Sequence, residues 1–167
     1  MKLEPYVENL TRHVDDRGSV YCVLDGIGTS ILHTVDGNTI HDNHLKIRRV
    51  YLVHNWNKDM IRAWHGHKRG WTGMHVVSGA AKIVAPKISN GSFSLNKEPN
   101  PFSATLSEYN PGIVWVPPGY FNGARALSPD TKILCLSSLD FAQVQQDNVR
   151  WSYMEREHGH LFETRNR

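Results

Sequence analysis

The chain is short of the features that mark a specialised environment. It has two cysteines, Cys22 and Cys135, far apart and in no CxxC pair, so neither a disulfide framework nor a thiolate zinc site can be assembled from them. No apolar run approaches the roughly 18 residues needed to cross a bilayer, and no stretch has the order of a secretory leader. Blocks of like charge are missing: lysine and arginine are scattered, and a formal charge of +3 with a pI near 8.9 is only mildly basic. That argues against a nucleic-acid partner but leaves room for a local anionic ligand. A sustained helical apolar period is absent too, which excludes a major helix. Together these absences place the chain in the cytoplasm with free thiols, without membrane or nucleic acid as partner.

What the chain has in quantity is short apolar runs cut by glycine and proline. With 167 residues, 40% hydrophobic and 21% charged, it is sized for one domain over 1–167 with an ordinary core. Asp15-Asp16-Arg17-Gly18 reads as a turn into a strand at Ser19–Leu24, with another strand expected over Ser30–Val35 and a tight turn at Asp36-Gly37-Asn38. Leu45–His54 alternates Leu45, Ile47, Arg49, Tyr51 and Val53 against Lys46, Arg48, Val50, Leu52 and His54, as a strand entering a core would. Ala80–Val84 is a strand limited by Pro86, and Asn90-Gly91 gives the strongest hairpin signal, joining Lys87–Ser89 to Ser92–Leu95. Asn96–Pro101 is a loop, while Ala104–Leu106 and Ile113–Val116 are short strands. Pro117-Pro118-Gly119 forces a turn that delivers Tyr120, Phe121 and Asn122 to the rim of a sheet. Lys132–Ser137 is a buried strand, and Asp147–Arg167 reads as an irregular arm or short helix. Many short strands at close spacing indicate an all-β sandwich or barrel.

The chemistry concentrates in Ile61–Gly79, IRAWHGHKRGWTGMHVVSG. His65 and His67 are two apart, so on a strand both imidazoles reach one face, while Arg62 faces the other way unless a bulge intervenes. Trp64 is free to pack on the opposite layer. As a metal site, the pair supplies two nitrogen ligands with His75 approaching from the expected hairpin-partner strand, but Thr72 and Asn122 stand where stronger ligands would be needed. As an acid–base site, a neutral imidazole removes a proton beside a carbonyl. Arg62, His67 or Lys68 then donates to the developing oxygen charge. Arg17 and Arg62 also suit a diphosphate through the guanidinium fork, and Trp56, Trp64, Trp71, Trp115 and Tyr120 could wall a stacked base. Plainer readings compete: Trp64 and Trp115 as core, Arg48-Arg49 as a solvated or ion-paired strand edge, Arg17 as a turn stabiliser, and Cys135 as a small buried hydrophobe.

Asp16-Arg17-Gly18, Ile61–Lys68, Val77–Gly79, Val114–Gly123 and Leu127–Ser137 together resemble the nucleotide-sugar epimerase and isomerase branch of the cupin superfamily. The dTDP-4-dehydrorhamnose 3,5-epimerases carry a DxRG turn, an RGLH strand and a PxGFAHGF loop, to which Asp15–Gly18, Arg62–His65 and Pro117–Ala124 are similar. Sugar 3,4-ketoisomerases carry an RGxHAHK strand, similar to Arg62–Lys68, and an FSxD…LxLAS segment, similar to Leu127–Ser138. The resemblance implies a cupin-type jelly-roll β sandwich, a homodimer that exchanges N-terminal strands, and a reaction needing no metal or other cofactor. It implies a nucleotide-activated 4-keto-6-deoxy sugar as substrate, with proton abstraction alpha to its ketone as the first step.

Epimerisation at carbon 3, carbon 5 or both is expected first, because the Arg17 turn, the 117–124 loop and the tail resemble the epimerases. The alternatives are 3,4-ketoisomerisation and a non-catalytic or metal-dependent cupin that binds a sugar nucleotide. By the same resemblance His65 is the base and His67 a second acid/base or an orienting group. Arg62 and Lys68 would hold the anionic intermediate and Arg17 the diphosphate, with Asn122 and Cys135 on the substrate. The departures are Asn122 for the loop histidine, Thr72 near the expected lysine, and Cys135 where the epimerases have the tyrosine that reprotonates the sugar. An acidic partner for His65 is open among Asp130, Asp140, Asp147 and Glu155.

Overall fold

Short runs that alternate in polarity, broken every few residues, can bury their apolar side chains only by pairing into sheets that face one another. The computed structural model describes residues 4–24, 30–33, 39–42, 46–89, 92–93, 100–150 and 159–163. In chain order the strands are β1 (Tyr6–Asn9), β2 (His13–Asp15), β3 (Gly18–Val20), β4 (Ser30–His33), β5 (Thr39–Asp42), β6 (Arg49–Asn55), β7 (Ile61–His67) and β8 (Thr72–Ser78). Then come β9 (Ala80–Ala85), β10 (Ile88–Ser89), β11 (Ser92–Phe93), β12 (Phe102–Ser107), β13 (Gly112–Val116), β14 (Phe121–Ala126) and β15 (Thr131–Ser137). A helix, α1 (Phe141–Asp147), a last strand, β16 (Asn148–Arg150), and a 3-10 turn at Gly159–Phe162 follow. One five-stranded sheet runs β1-β13-β8-β15-β6 and the other β12-β9-β14-β7-β16. The hairpins β2–β3, β4–β5 and β10–β11 stand apart from both.

Between the sheets lie Met74 and Val76 of β8, Val114 and Val116 of β13, and Ile133 and Cys135 of β15, against Ala81, Ile83 and Ala85 of β9 and Leu106 of β12. Each set is spaced by two, as one face of a strand requires. The alternate residues are covered as well. Ile113, Trp115 and Leu136 pack outside the first sheet with Trp71, Ile47 and the partly buried Tyr6, Leu10, Val23 and Leu24. Trp64, Val84 and Phe121 pack outside the second with Phe162, which stacks on Trp64 at a centroid distance of 5.1 Å. Burial on both faces explains why Gly112–Val116 reads as a continuous apolar run rather than an alternating one.

The sandwich follows the sequence reading, with corrections in detail. The strand expected over Ser19–Leu24 is the short β3, after which residues 21–24 leave the ladder and cover the first sheet. Regular structure in Leu45–His54 starts only at Arg49. Gly79 turns β8 into β9 with a φ of +79°, a conformation that favours glycine. Ser89 pairs with Ser92 and Ile88 with Phe93 on either side of Asn90-Gly91. The Asp36–Asn38 turn, residues 94–95 of the expected hairpin strand and residues 96–99 of the expected loop lie outside the described residues. At the C-terminal end α1 runs up to Asp147, where the expected arm begins, and the described residues of that arm form β16 and the short 3-10 turn at Gly159–Phe162. Asp140 accepts from the Gln143 N–H at 2.9 Å while Gln143 Oε1 accepts from the Asp140 N–H at 3.1 Å, a capping box that starts α1.

Candidate active site

A single irregularity builds the site wall. β14 sets Phe121 opposite Gly66 and Asn122 opposite His65, but Ala124 opposite Arg62. Gly123 alone therefore spans on β14 what Ala63 and Trp64 span on β7, so β7 carries a bulge. The extra residue brings Arg62 onto the face of His65 and His67, and sends Ala63 and Trp64 together into the outer cluster. Close approach at the bulge needs glycine: a Cβ on Gly123 would lie 2.7 Å from the Ala63 Cβ.

Between the sheets, at the end where β6 and β16 are the last strands, is a cavity of about 390 Å³. Arg62, His65 and His67 line one wall, Asn122 extends it, and Arg49, Tyr51 and Asn55 of β6 line the other with Cys135 of β15. Val53, Met74, Ala124 and Ile133 make an apolar floor. Phe141, Val144 and Gln145 of α1 and Asn148 and Arg150 of β16 enclose the rest. Among the described residues three arginines and two histidines face this space, and no aspartate or glutamate lines it.

His67 is the imidazole with a carboxylate beside it. Its Nδ1 is 3.5 Å from Asp147 Oδ2, an electrostatic contact just beyond a good hydrogen bond. Asp147 is nearly sealed, with a side chain 1% exposed, and accepts from the N–H groups of Arg69 and Gly70 at 3.2 Å and from Arg69 Nε at 3.3 Å. Burial pushes the Asp147 carboxyl up, but these donors and His67 outweigh it and hold the group below the ordinary carboxylate value. Burial pushes His67 down and Asp147 opposes it, so the ring stays below the ordinary histidine value.

Other groups are fixed by their neighbours. Arg62 Nε donates to Asn55 Oδ1 at 2.8 Å, while the fully buried Asn55 Nδ2 has no hydrogen-bond partner among the described residues. Tyr51 and Cys135 are directly cross-strand neighbours on β6 and β15. Burial raises the Tyr51 hydroxyl well above its ordinary value, and Cys135 adds to the rise. The Cys135 thiol is pushed up to about 11 by burial, with Tyr51 and Arg49 opposing. At neutral pH both therefore keep their protons.

The structure brings His65, His67, Arg62, Asn122 and Cys135 into one cavity. Lys68 is exposed and outside the lining. Arg17 lies on the β2–β3 hairpin, 86% exposed and paired with Asp15 at 2.5 Å, away from the cavity of its own chain. His75 points to the other side of the first sheet, where Nδ1 meets the Gly112 carbonyl at 2.9 Å and Nε2 meets the Tyr21 hydroxyl at 3.4 Å. It therefore supplies no third nitrogen to the pair, and among the described residues no three histidine, cysteine or acidic side chains gather as a metal cluster. The aromatic wall also fails: Trp64, Trp71, Trp115 and Tyr120 are buried in the apolar clusters, and Trp56 is exposed. Tyr51 and Phe141 are the aromatic residues that do line the cavity.

Of the four open carboxylates, Asp130 lies 3.3 Å from His54, Asp140 caps α1, and Glu155 is outside the described residues. Among the described residues Asp147 is the carboxylate beside the cavity, and it contacts His67. Arg49 is not a solvated edge: its guanidinium lies 4.4 Å from the Tyr51 ring centroid and 5.1 Å from that of Phe141, inside the cavity lining. Arg49, Tyr51 and Val53 share one strand face, so their period of two was the available signal for this wall.

No family model and no curated protein matches the chain. Solved structures do, and they define the fold as the cupin-type jelly roll shared by nucleotide-sugar epimerases and 3,4-ketoisomerases. The RmlC epimerase of Mycobacterium tuberculosis superposes with a TM-score of 0.65 at 21% identity, covering 86% of this chain and 66% of that one. A 3,4-ketoisomerase from Helicobacter canadensis gives 0.63 at 21% identity, covering 92% and 95%. ChmJ, a 3'-monoepimerase from Streptomyces bikiniensis solved with dTDP-quinovose, gives 0.67 at 13% identity, covering 92% and 72%.

Proposed function

We propose that residues 1–167 act as one domain that isomerises a nucleotide-activated 4-keto-6-deoxy sugar by removing a proton alpha to its ketone. The observation that carries this reading is the cavity itself: two histidines on one strand face, three arginines, and no carboxylate among the described lining residues. A developing enolate is anionic and needs such surroundings. His65 is the base and Arg62, braced by Asn55, is the donor to the enolate oxygen. Asn122, opposite His65 in register, holds the sugar.

Epimerisation requires the proton to return from the other face of the ring. Tyr51 projects from β6, on the wall facing β7, and burial keeps its hydroxyl protonated. It supplies the acid whose family position is occupied by its cross-strand neighbour Cys135. One observation favours ketoisomerisation as the second reading. Asp147 beside His67 stabilises a second imidazolium on the same wall as His65, so both transfers of an enediol pathway could run from β7. The β2–β3 hairpin leaves Val14 and Val20 largely exposed, which supports a homodimer contact. The free thiols support a cytoplasmic setting.

Proton NMR of dTDP-4-keto-6-deoxyglucose with the protein in deuterated water tests the reading. Deuterium at carbon 3 or carbon 5 with inverted configuration supports epimerisation. Deuterium at carbon 4 with the ketone moved to carbon 3 supports ketoisomerisation, and binding without exchange makes the chain a binder.

A further inference from the structure

The mouth of the cavity carries a charge pattern that proton transfer does not use. The opening lies between the terminal strands of the two sheets, and an arginine stands on each lip. Arg49 is the first residue of β6 and Arg150 the last of β16, where it pairs in register with His65. Among the described residues neither has a carboxylate partner, whereas Arg17, Arg69 and Arg125 are each ion-paired. Arg49 is nonetheless held in place by the rings of Tyr51 and Phe141. Ring contacts of this kind restrict the guanidinium plane without consuming its N–H donors, which an ion pair would occupy. Below the lips, the buried Asn55 Nδ2 has no hydrogen-bond partner among the described residues.

We propose that Arg49 and Arg150 form an anion clamp that grips the diphosphate of the nucleotide-activated ligand, and that Phe141 of α1 positions Arg49 for it. The inference rests on the proposed function for the identity of the ligand, and it moves diphosphate recognition from Arg17 to two arginines of the same chain as the histidines. Two guanidiniums from opposite sheets suit two linked phosphates better than one, because each can engage a phosphate with its own planar fork. Seated there, the diphosphate leaves the sugar directed toward His65, the register partner of Arg150.

Calorimetric titration with dTDP and, separately, with inorganic pyrophosphate tests the clamp. Arg49→Ala and Arg150→Ala are each expected to weaken dTDP binding by about tenfold or more, the size of a lost charge-assisted contact. Arg49→Lys keeps the charge and loses the fork, so it should fall between the wild type and alanine. Phe141→Ala should weaken both ligands without removing any charge. Wild-type affinity in Arg49→Ala and Arg150→Ala, with loss confined to Arg17→Ala, would overturn the proposal. A wild-type protein that binds neither dTDP nor pyrophosphate would overturn it too. Binding that depends on both arginines, in a protein that exchanges no sugar proton, would leave the clamp standing and remove the isomerase reading. Should Arg49→Ala fail to fold, the Lys, Phe141 and Arg150 variants decide the matter.

Discussion

Replacing Asp147 probes the turn after β7 and the His67 imidazole at once. The carboxylate is 1% exposed and accepts three hydrogen bonds at 3.2 to 3.3 Å, from two backbone N–H groups and Arg69 Nε, with His67 Nδ1 at 3.5 Å. The Arg69 side chain is 71% exposed, so its ion pair is discounted to about 0–1 kcal/mol. Asp147→Ala leaves the buried Gly70 N–H without its acceptor, which costs about 1–3 kcal/mol. Loss of the charge-assisted bond to Arg69 N–H adds a contribution at the weak end of the range, and release of a buried charge from its desolvation offsets part of it. The net loss is about 3 kcal/mol, the low end for breaking a buried charged contact. Asp147→Asn keeps an oxygen for the N–H groups and should cost about 1–2 kcal/mol. Urea denaturation measures both variants. The second readout is the pH profile of kcat/KM: without the carboxylate, imidazolium is less favoured at His67, so His67 titrates at lower pH and its acid limb moves down. An asparagine variant as stable as wild type, with an unmoved acid limb, would refute the reasoning.

Three further outcomes are expected. His67 and His75 both sit below the ordinary histidine value of 6.5 because of burial, so the unfolded chain takes up protons that the folded one refuses. Stability is therefore fully present above pH 6.5 and falls as the pH drops through that value, and denaturant midpoints measured from pH 8 to 5 should decline on the acid side. Below the ordinary aspartate value of 3.8, protonation of Asp147 adds to the loss, since its folded-state value is depressed. Phe162→Ala removes a fully buried ring stacked on Trp64 beside the β7 bulge and should cost about 3–5 kcal/mol in thermal or urea unfolding. Native protein should give rapid thiol labelling at Cys22, which is exposed, and slow labelling at Cys135, whose thiol is buried and raised to about 11. Equal rates at the two cysteines would show that Cys135 is accessible.

The sheets were legible because their causes are local. Glycine and proline ended the strands, period-two alternation oriented them, and Asn90-Gly91 marked a hairpin whose flanking pairs are formed. The histidine pair was legible for the same reason, and Arg62 was conditional on a bulge that the β14 register confirms. The cavity's other wall was not, because Arg49 and Tyr51 become site residues only when β6 ends one sheet opposite the end of the other. Asp147 could not be ranked from spacing. It reaches His67 because β16 pairs Asn148 with His67, which places the preceding carboxylate 78 residues along the chain from the Arg69 N–H it accepts. The capping box at Asp140 and Gln143 was present in the sequence, but a helix of seven residues leaves too short an apolar period to notice.

The proposed chemistry begins when an imidazole on β7 removes a proton alpha to a sugar ketone. The most direct measurement is the rate of solvent deuterium entry into dTDP-4-keto-6-deoxyglucose with wild-type protein, His65→Asn and His67→Asn, each also titrated with dTDP. Rapid entry is expected with wild type, none with His65→Asn and slowed entry with His67→Asn, with dTDP binding kept in all three. Deuterium entering at the wild-type rate with His65→Asn would contradict it.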